Sequence, residues 1–244
     1  MHQGPVGWVE VAYVLAAALF ILSLQWMSNV KRSRLGNWAG ALGMIVAVLA
    51  TLFATGVQQW VLLTLAVLFG AALGIPMALK MPMTAVPQRT AISHAFGALA
   101  VALVGTAEYY QTAPNVPAFT MGILAAEMVL GYLTFTGSVI AFLKLQEIIS
   151  GSPWIYPGRN WVSFGVLGTA LASAVYLVFD PAAAFALPVL IVAALVYGFL
   201  LVMAIGGADM PTVIAILNAY AGLSAAGLGF VLNNKLLIVA GAGT

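Results

Sequence analysis

Cysteine is absent from this 244-residue chain, which removes disulfides, thiolate metal sites and cysteine nucleophiles from consideration. Charge is scarce: Asp, Glu, Lys and Arg together make up 6% of the residues, against about 25% in a soluble domain. There are only two histidines, His2 near the N-terminus and His94, so no facing pair can hold a haem and no cluster can hold a metal. No phosphate-cradling G-x-x-x-x-G-K-[ST] run is present. Gly227 and Gly229 lie in an apolar stretch where close helix packing explains them, so the chain is expected to bind no nucleotide. A basic surface interleaved with aromatics is also missing, which argues against nucleic acid as a partner.

What the chain does have is apolar length. Hydrophobic residues make up 64% and the mean hydropathy is +1.10. Stretches long enough to cross a bilayer fall at 8–27, 37–55, 59–79, 88–107, 118–143, 162–179, 184–205 and 210–231. A ninth begins at Leu236 and reaches only Thr244, well short of the roughly 20 residues a crossing needs. The sequence therefore predicts an all-α integral membrane protein, a polytopic bundle of eight complete transmembrane helices plus a truncated ninth, with 1–244 as one membrane domain surrounded by lipid. The first stretch lacks a basic leader and is too long for a secretory signal, so it reads as a retained helix.

The few basic residues set the orientation. Lys31, Arg32 and Arg34 lie between spans one and two, Lys80 and Arg89 flank the third connection, and Lys144 and Arg159 bracket the fifth. All three connections are on one side, which the positive-inside rule makes cytoplasmic. The N-terminus is then outside, with Lys235 the one basic residue there. The outer connections, near 56–58, 108–117, 180–183 and 233–235, are short or acidic. The long cytoplasmic connection at 145–160 carries Gly151, Pro153, Pro157 and Gly158 and reads as an ordered loop.

One pattern occurs twice. Pro87, Ala91, Ile92, His94, Ala95, Phe96 and Leu99 are matched 124 residues later by Pro211, Ala215, Ile216, Asn218, Ala219, Tyr220 and Leu223, and Gly105 by Gly229. Proline suits the first turn of a helix, and seven residues beyond it the chain has risen about 10 Å. His94 and Asn218 should thus sit about a third of the way into a hydrocarbon core about 30 Å thick. Polar groups at that depth are expensive and mark a functional site by default.

His94, with an unperturbed pKa of about 6.5, is the natural group to load and release a proton; the alternative is a neutral imidazole hydrogen-bonded across a helix interface. Asn218 either holds a water or orients the imidazole, or it is interhelical glue. Ser138 closes the hydroxyl-rich run Thr134, Phe135, Thr136, Gly137, Ser138, which suits close packing as well as hydrogen bonding. Glu127 lies 17 residues before Lys144, about 25 Å of rise, and should sit near the outer mouth, either admitting protons or as an interfacial carboxylate. Asp209 reads as the N-cap of the eighth span, or as a carboxylate that couples that span to a cytoplasmic partner.

The chain closely resembles the membrane domain of the beta subunit of proton-translocating NAD(P) transhydrogenase. The resemblance is carried by Leu22-Ser23-Leu24, Ser33-Arg34-Leu35-Gly36-Asn37, Gly43-Met44, Ala91-Ile92-Ser93-His94-Ala95-Phe96, 134–145 (TFTGSVIAFLKL) and 206–220 (GGADMPTVIAILNAY). It implies membership of a Re/Si-specific enzyme that moves hydride from NADH, bound by the alpha subunit, to NADP, bound by a domain that follows these helices. Inward proton movement through the membrane part drives that transfer. His94, Asn218 and Ser138 match the family's proton-path positions, and Asp209 lies where the nucleotide domain docks. The resemblance further implies partnership with the alpha subunit and the NADP-binding domain, a homodimer of the whole complex, and a bacterial inner (cytoplasmic) membrane.

Two departures qualify these expectations. The NADP-binding domain is expected to be absent from 1–244, so the isolated chain should be inactive. Position 85 is Ala where the family often carries an acid, which leaves no acidic cytoplasmic exit at the first repeat. The alternatives are a repeat-built secondary transporter or channel and a structural assembly subunit, although the paired broken helices typical of transporters are not apparent.

Overall fold

The computed structural model describes residues 7–54 and 58–243. His2, Thr244 and most of the expected outer connection at 56–58 lie outside the described residues. Nine helices follow one another: α1 (Gly7–Met27), α2 (Ser33–Ala54), α3 (Trp60–Lys80), α4 (Val86–Thr112), α5 (Ala118–Leu145), α6 (Arg159–Phe179), α7 (Ala186–Met203), α8 (Met210–Val231) and α9 (Lys235–Ala242). No strand occurs among the described residues. Eight of the helices are long and apolar enough to cross a membrane, so the all-α polytopic bundle read from the sequence is the observed fold.

Two boundaries differ most from the apolar pattern. α2 begins at Ser33, because Arg34 extends the helix at the membrane surface instead of ending it. α4 runs on to Thr112, past the Glu108 that suggested a loop. It continues because Tyr109 is buried and its hydroxyl donates to the Pro181 carbonyl at 2.7 Å, so the last turn has a packing partner.

α5 is the central helix, packed against α4, α6, α7 and α8. α8 also contacts α4 and α9, and the α1–α2 hairpin joins this body where α1 meets α9. α3 has no buried residue. In lipid, apolar surface gives helices little reason to associate, so close packing must hold them together. α4 shows how: its buried residues are Ala91, Ala95, Ala98, Ala102, Gly105 and Tyr109, alternating steps of four and three along one seam. That spacing keeps a single stripe facing its neighbour, as in a coiled coil. Because the stripe is small until Tyr109, the α4 backbone lies close against α5. α7 does the same with Gly198, where a Cβ would overlap the Leu133 carbonyl and the Thr136 hydroxyl of α5.

The sequence repeat is also a structural one. A 3-10 turn precedes α4 at Met83–Ala85 and another precedes α8 at Gly207–Asp209; Ala85 and Asp209 are the two N-cap residues, and each helix has proline in its first turn. α5 and α8 end alike as well. Ile148 N–H donates to Leu143 O at 3.0 Å and Glu147 N–H to Lys144 O at 3.1 Å; Asn234 N–H donates to Gly229 O at 2.8 Å and Asn233 N–H to Phe230 O at 3.2 Å. Glu147 and Asn233 have φ of 55° and 51°, the left-handed residue that a Schellman ending requires.

Candidate functional site

His94 and Asn218 each lie eight residues into their helix, α4 or α8, which is about 12 Å of rise from its N-terminal end. Ser138 lies seven residues from the other end of the antiparallel α5, about 10 Å. All three are therefore at one level. Near this level Ala91 of α4, Ile140 and Ala141 of α5, Val202 of α7, and Met210, Val213, Ile214 and Leu217 of α8 pack together in an apolar cluster.

What distinguishes these side chains is how they are, or are not, satisfied. His94 Nδ1 and Ser138 Oγ are buried with no hydrogen-bond partner in the protein, and so are Thr134 Oγ1 and Glu127 Oε1 on α5. Most buried polar side chains in folded proteins are paired. Glu127, Thr134 and Ser138 are separated by seven and four residues, so they share one face of α5. By contrast Thr136, in the same hydroxyl-rich run, donates to the Leu195 carbonyl of α7 at 2.8 Å, and Gly137 admits Leu217 of α8 and Val202 of α7. The run thus has two jobs on two faces: Thr136 and Gly137 fasten neighbouring helices, while Thr134 and Ser138 stay unpaired.

Glu127 is not the interfacial carboxylate that was one of its two readings. It is 1% exposed, in the wall between α4, α5 and α8. Its carboxyl fills the space left by the missing side chain of Gly105, where a Cβ would overlap Oε1, and its stem lies against Gly227 of α8. Ser224 of α8 faces it, with Oγ 2.9 Å from the Glu127 carbonyl and 3.3 Å from Oε2. Gly105 and Ser224 each lie seven residues inside the outer ends of α4 and α8, so the carboxyl is about 10 Å below those ends. Nearby, Thr106 and Tyr132 share a 2.8 Å hydrogen bond between their hydroxyls. No ion pair involving Glu127 occurs among the described residues.

Gly131 marks where the three helices meet most closely. A Cβ there would lie 2.8 Å from the Ala102 Cβ and 3.2 Å from the Ala98 carbonyl of α4, and 3.1 Å from the Ser224 hydroxyl of α8. At the cytoplasmic end, Asp209 is the N-cap residue of α8 but its side chain makes no capping hydrogen bond, and it is exposed. Capping therefore does not explain it. Gln88, in the first turn of α4, donates from Nε2 to Leu145 O at 3.2 Å while its Oε1 is buried and unpaired.

Nothing in the sequence points to Ser224, since its repeat counterpart Ala100 is apolar, or to Gln88. Thr134 was within reach, because its spacing from Glu127 and Ser138 is a helical one. Among the described residues no three His, Asp or Glu side chains gather to hold a metal.

Fold and site together define a polytopic α-helical membrane protein with proton-capable groups buried between three of its helices. The NAD(P) transhydrogenase beta subunit family matches residues 9–243, and the chain belongs to that family. Two sequences from Rhodospirillum rubrum, each named NAD(P) transhydrogenase subunit beta, are 41% identical to it over 240 residues, covering 95% of this chain and 51% of theirs. The chain spans about half the length of these relatives.

Proposed function

We propose that this chain is the proton-conducting membrane part of an NAD(P) transhydrogenase, coupling inward proton movement to hydride transfer from NADH to NADP. The carrying observation is the row of buried, unpaired polar atoms where α4, α5 and α8 meet: His94 Nδ1, Ser138 Oγ, Thr134 Oγ1 and Glu127 Oε1. A side chain locked into a fixed protein hydrogen bond is a poor carrier, whereas these atoms are available to exchange partners. In this reading His94 takes and releases the proton, Asn218 and Ser138 hold hydrogen bonds along the way, and Glu127, oriented by Ser224, receives protons from the outer side. Asp209, exposed at the start of α8, is the point at which a cytoplasmic nucleotide domain senses that helix.

An open path would dissipate the gradient, so access must alternate. His94 faces the outer side in one state and the cytoplasm in the other, with the NADP-binding domain setting the switch. Each 100 mV then contributes about 2.3 kcal/mol per charge moved, a useful bias on hydride transfer between two nearly equipotential nicotinamides. Both nucleotides are held outside this chain, NAD by the alpha subunit and NADP by a domain of the beta subunit, and 1–244 is the membrane domain of a dimeric complex in a bacterial inner membrane with its N-terminus outside. The test is His94→Ala in the assembled complex in liposomes, following hydride transfer and internal pH together. NADPH formation should lose its dependence on the proton gradient along with the pH signal; proton-coupled transfer surviving in the variant would refute the assignment.

A further inference from the structure

Lys144, near the end of α5, is a cation of the kind that usually snorkels to water, yet it is 3% exposed and pairs with no carboxylate among the described residues. Its ammonium donates to main-chain carbonyls alone: Ile205 at 2.8 Å, Met203 at 3.0 Å, Val202 at 3.3 Å and Ser152 at 3.5 Å. Val202 and Met203 are the last residues of α7, whose final carbonyls have no partner within the helix. A cation there also meets the negative end of the helix dipole. Lys144 thus ties the end of α5 to the end of α7 and to the connection leading into α8.

The same place is stitched by backbone. Trp154 N–H donates to Met203 O at 2.8 Å and Gly207 N–H to Gly151 O at 2.8 Å, so the α5–α6 and α7–α8 connections lie against each other with Lys144 beneath them. Asp209 follows Gly207 by two residues, and Ser138 precedes Lys144 by six on the same helix. We propose that Lys144 is a positioning residue that joins the connection carrying Asp209 to the helix carrying Glu127, Thr134 and Ser138, so that both move as one body when the cytoplasmic partner changes its hold. The inference rests on the proton-coupled reading above and adds the element by which a signal at Asp209 reaches α5 as well as α8.

The experiment uses the assembled complex in liposomes, with His94→Ala in parallel. Lys144→Met should lower proton-coupled hydride transfer about tenfold, within the usual range of a coupling between two sites, while hydride exchange between bound nucleotides that moves no proton persists. Because this chain has no cysteine, a covalent substitute for the lysine is available. A Cβ added at Gly207 lies 3.6 Å from the Gly151 Cα and one added at Gly151 lies 3.9 Å from the Gly207 Cα, within reach of a disulfide. In a complex freed of other cysteines, oxidising Gly151→Cys/Gly207→Cys in the Lys144→Met background should restore most of the lost coupling, and reductant should abolish it again. A Lys144→Met complex that couples normally, or a disulfide that forms without restoring coupling, overturns the proposal. If Lys144→Met does not assemble, the same disulfide beside native Lys144 decides: an unchanged coupled rate supports one rigid body, and a loss reversed by reductant overturns it. Coupling that survives in His94→Ala is the distinct signature of failure of the proton-path reading itself.

Discussion

Gly105→Ala adds one methyl group where the structure has no room for it. The new Cβ would overlap Glu127 Oε1, and Glu127 cannot simply swing away, because its stem lies against α8 at Gly227 and its Oε2 faces Ser224. Forcing a methyl into a packed core costs about 1 to 3 kcal/mol, and losing the Ser224 hydrogen bond adds about 1 kcal/mol. Replacing glycine by alanine inside a helix returns about 1 kcal/mol. The net expectation is a destabilisation of about 1 to 3 kcal/mol. In a Glu127→Ala background the obstructing carboxyl is gone, and Gly105→Ala should be neutral or stabilising by up to about 1 kcal/mol. The two changes therefore interact by about 1 to 4 kcal/mol, reaching past the upper end for residues in contact. The assay is SDS-titrated unfolding of the purified chain in mixed micelles, read by circular dichroism for the two single variants and the double. Additive costs, or a Gly105→Ala variant as stable as the parent, would refute the placement of the Glu127 carboxyl against α4.

Ser224→Ala removes the hydroxyl that faces the Glu127 carboxyl and should destabilise the chain by about 1 to 3 kcal/mol, the cost of stranding a buried polar group; in the reconstituted complex it should also slow proton-coupled transfer while leaving proton-independent exchange intact. Gly198→Ala drives a methyl into the Leu133 carbonyl and the Thr136 hydroxyl of α5, with backbone on one side and a hydrogen-bonded hydroxyl on the other. It should cost about 3 kcal/mol, the upper end for overpacking, whereas Gly97→Ala, which meets nothing within 4 Å, should be neutral or stabilising by up to about 1 kcal/mol. Equal melting temperatures for these two variants would contradict the close α5–α7 approach.

The membrane fold was legible because hydrocarbon imposes its own length scale: each span shows as an apolar run, and the two largest displacements of an end fall where charged or polar residues continue a helix, as Arg34 and Glu108 do. The repeat was legible for a similar reason, since proline, the polar residue and the small seam recur at fixed spacing. Its extension to the 3-10 turns at 83–85 and 207–209 was not, because a turn needs no particular side chain. Glu127 was half legible. Helical rise gave its depth along α5, but rise cannot say which way a side chain points, and α5 has neighbours on four sides, so an interfacial reading stayed open until Gly105, Ser224 and Gly227 were seen around it. The burial of Lys144 was not legible for a related reason: a lysine near a helix end usually snorkels to water, and here the end of α7 lies across it and supplies carbonyls instead.

The close meeting at Gly131 bears on how a proton could be coupled rather than leaked. It divides the polar groups into one set at the level of Ser138, with His94 and Asn218, and another around Glu127, with Ser224 and the Thr106–Tyr132 hydroxyl pair, and Thr134 lies between Glu127 and Ser138 on α5. Ser138 and Glu127 are eleven residues apart on α5, about 16 Å of rise, several times the span of one hydrogen bond. No single side chain can bridge that gap, and the Ala98–Ala102 wall of α4 presses against Gly131 in the middle of it. On the proposed path, a displacement of α4 relative to α5 is one way to let a proton pass between the two sets. The seam of α4 is small from Ala91 to Gly105, so such a displacement would have to free only the Glu127 carboxyl seated at Gly105 and the Tyr109 hydroxyl on the Pro181 carbonyl. In the proposed function Lys144, holding α5 to the connection that carries Asp209, links that displacement to the far end of α5.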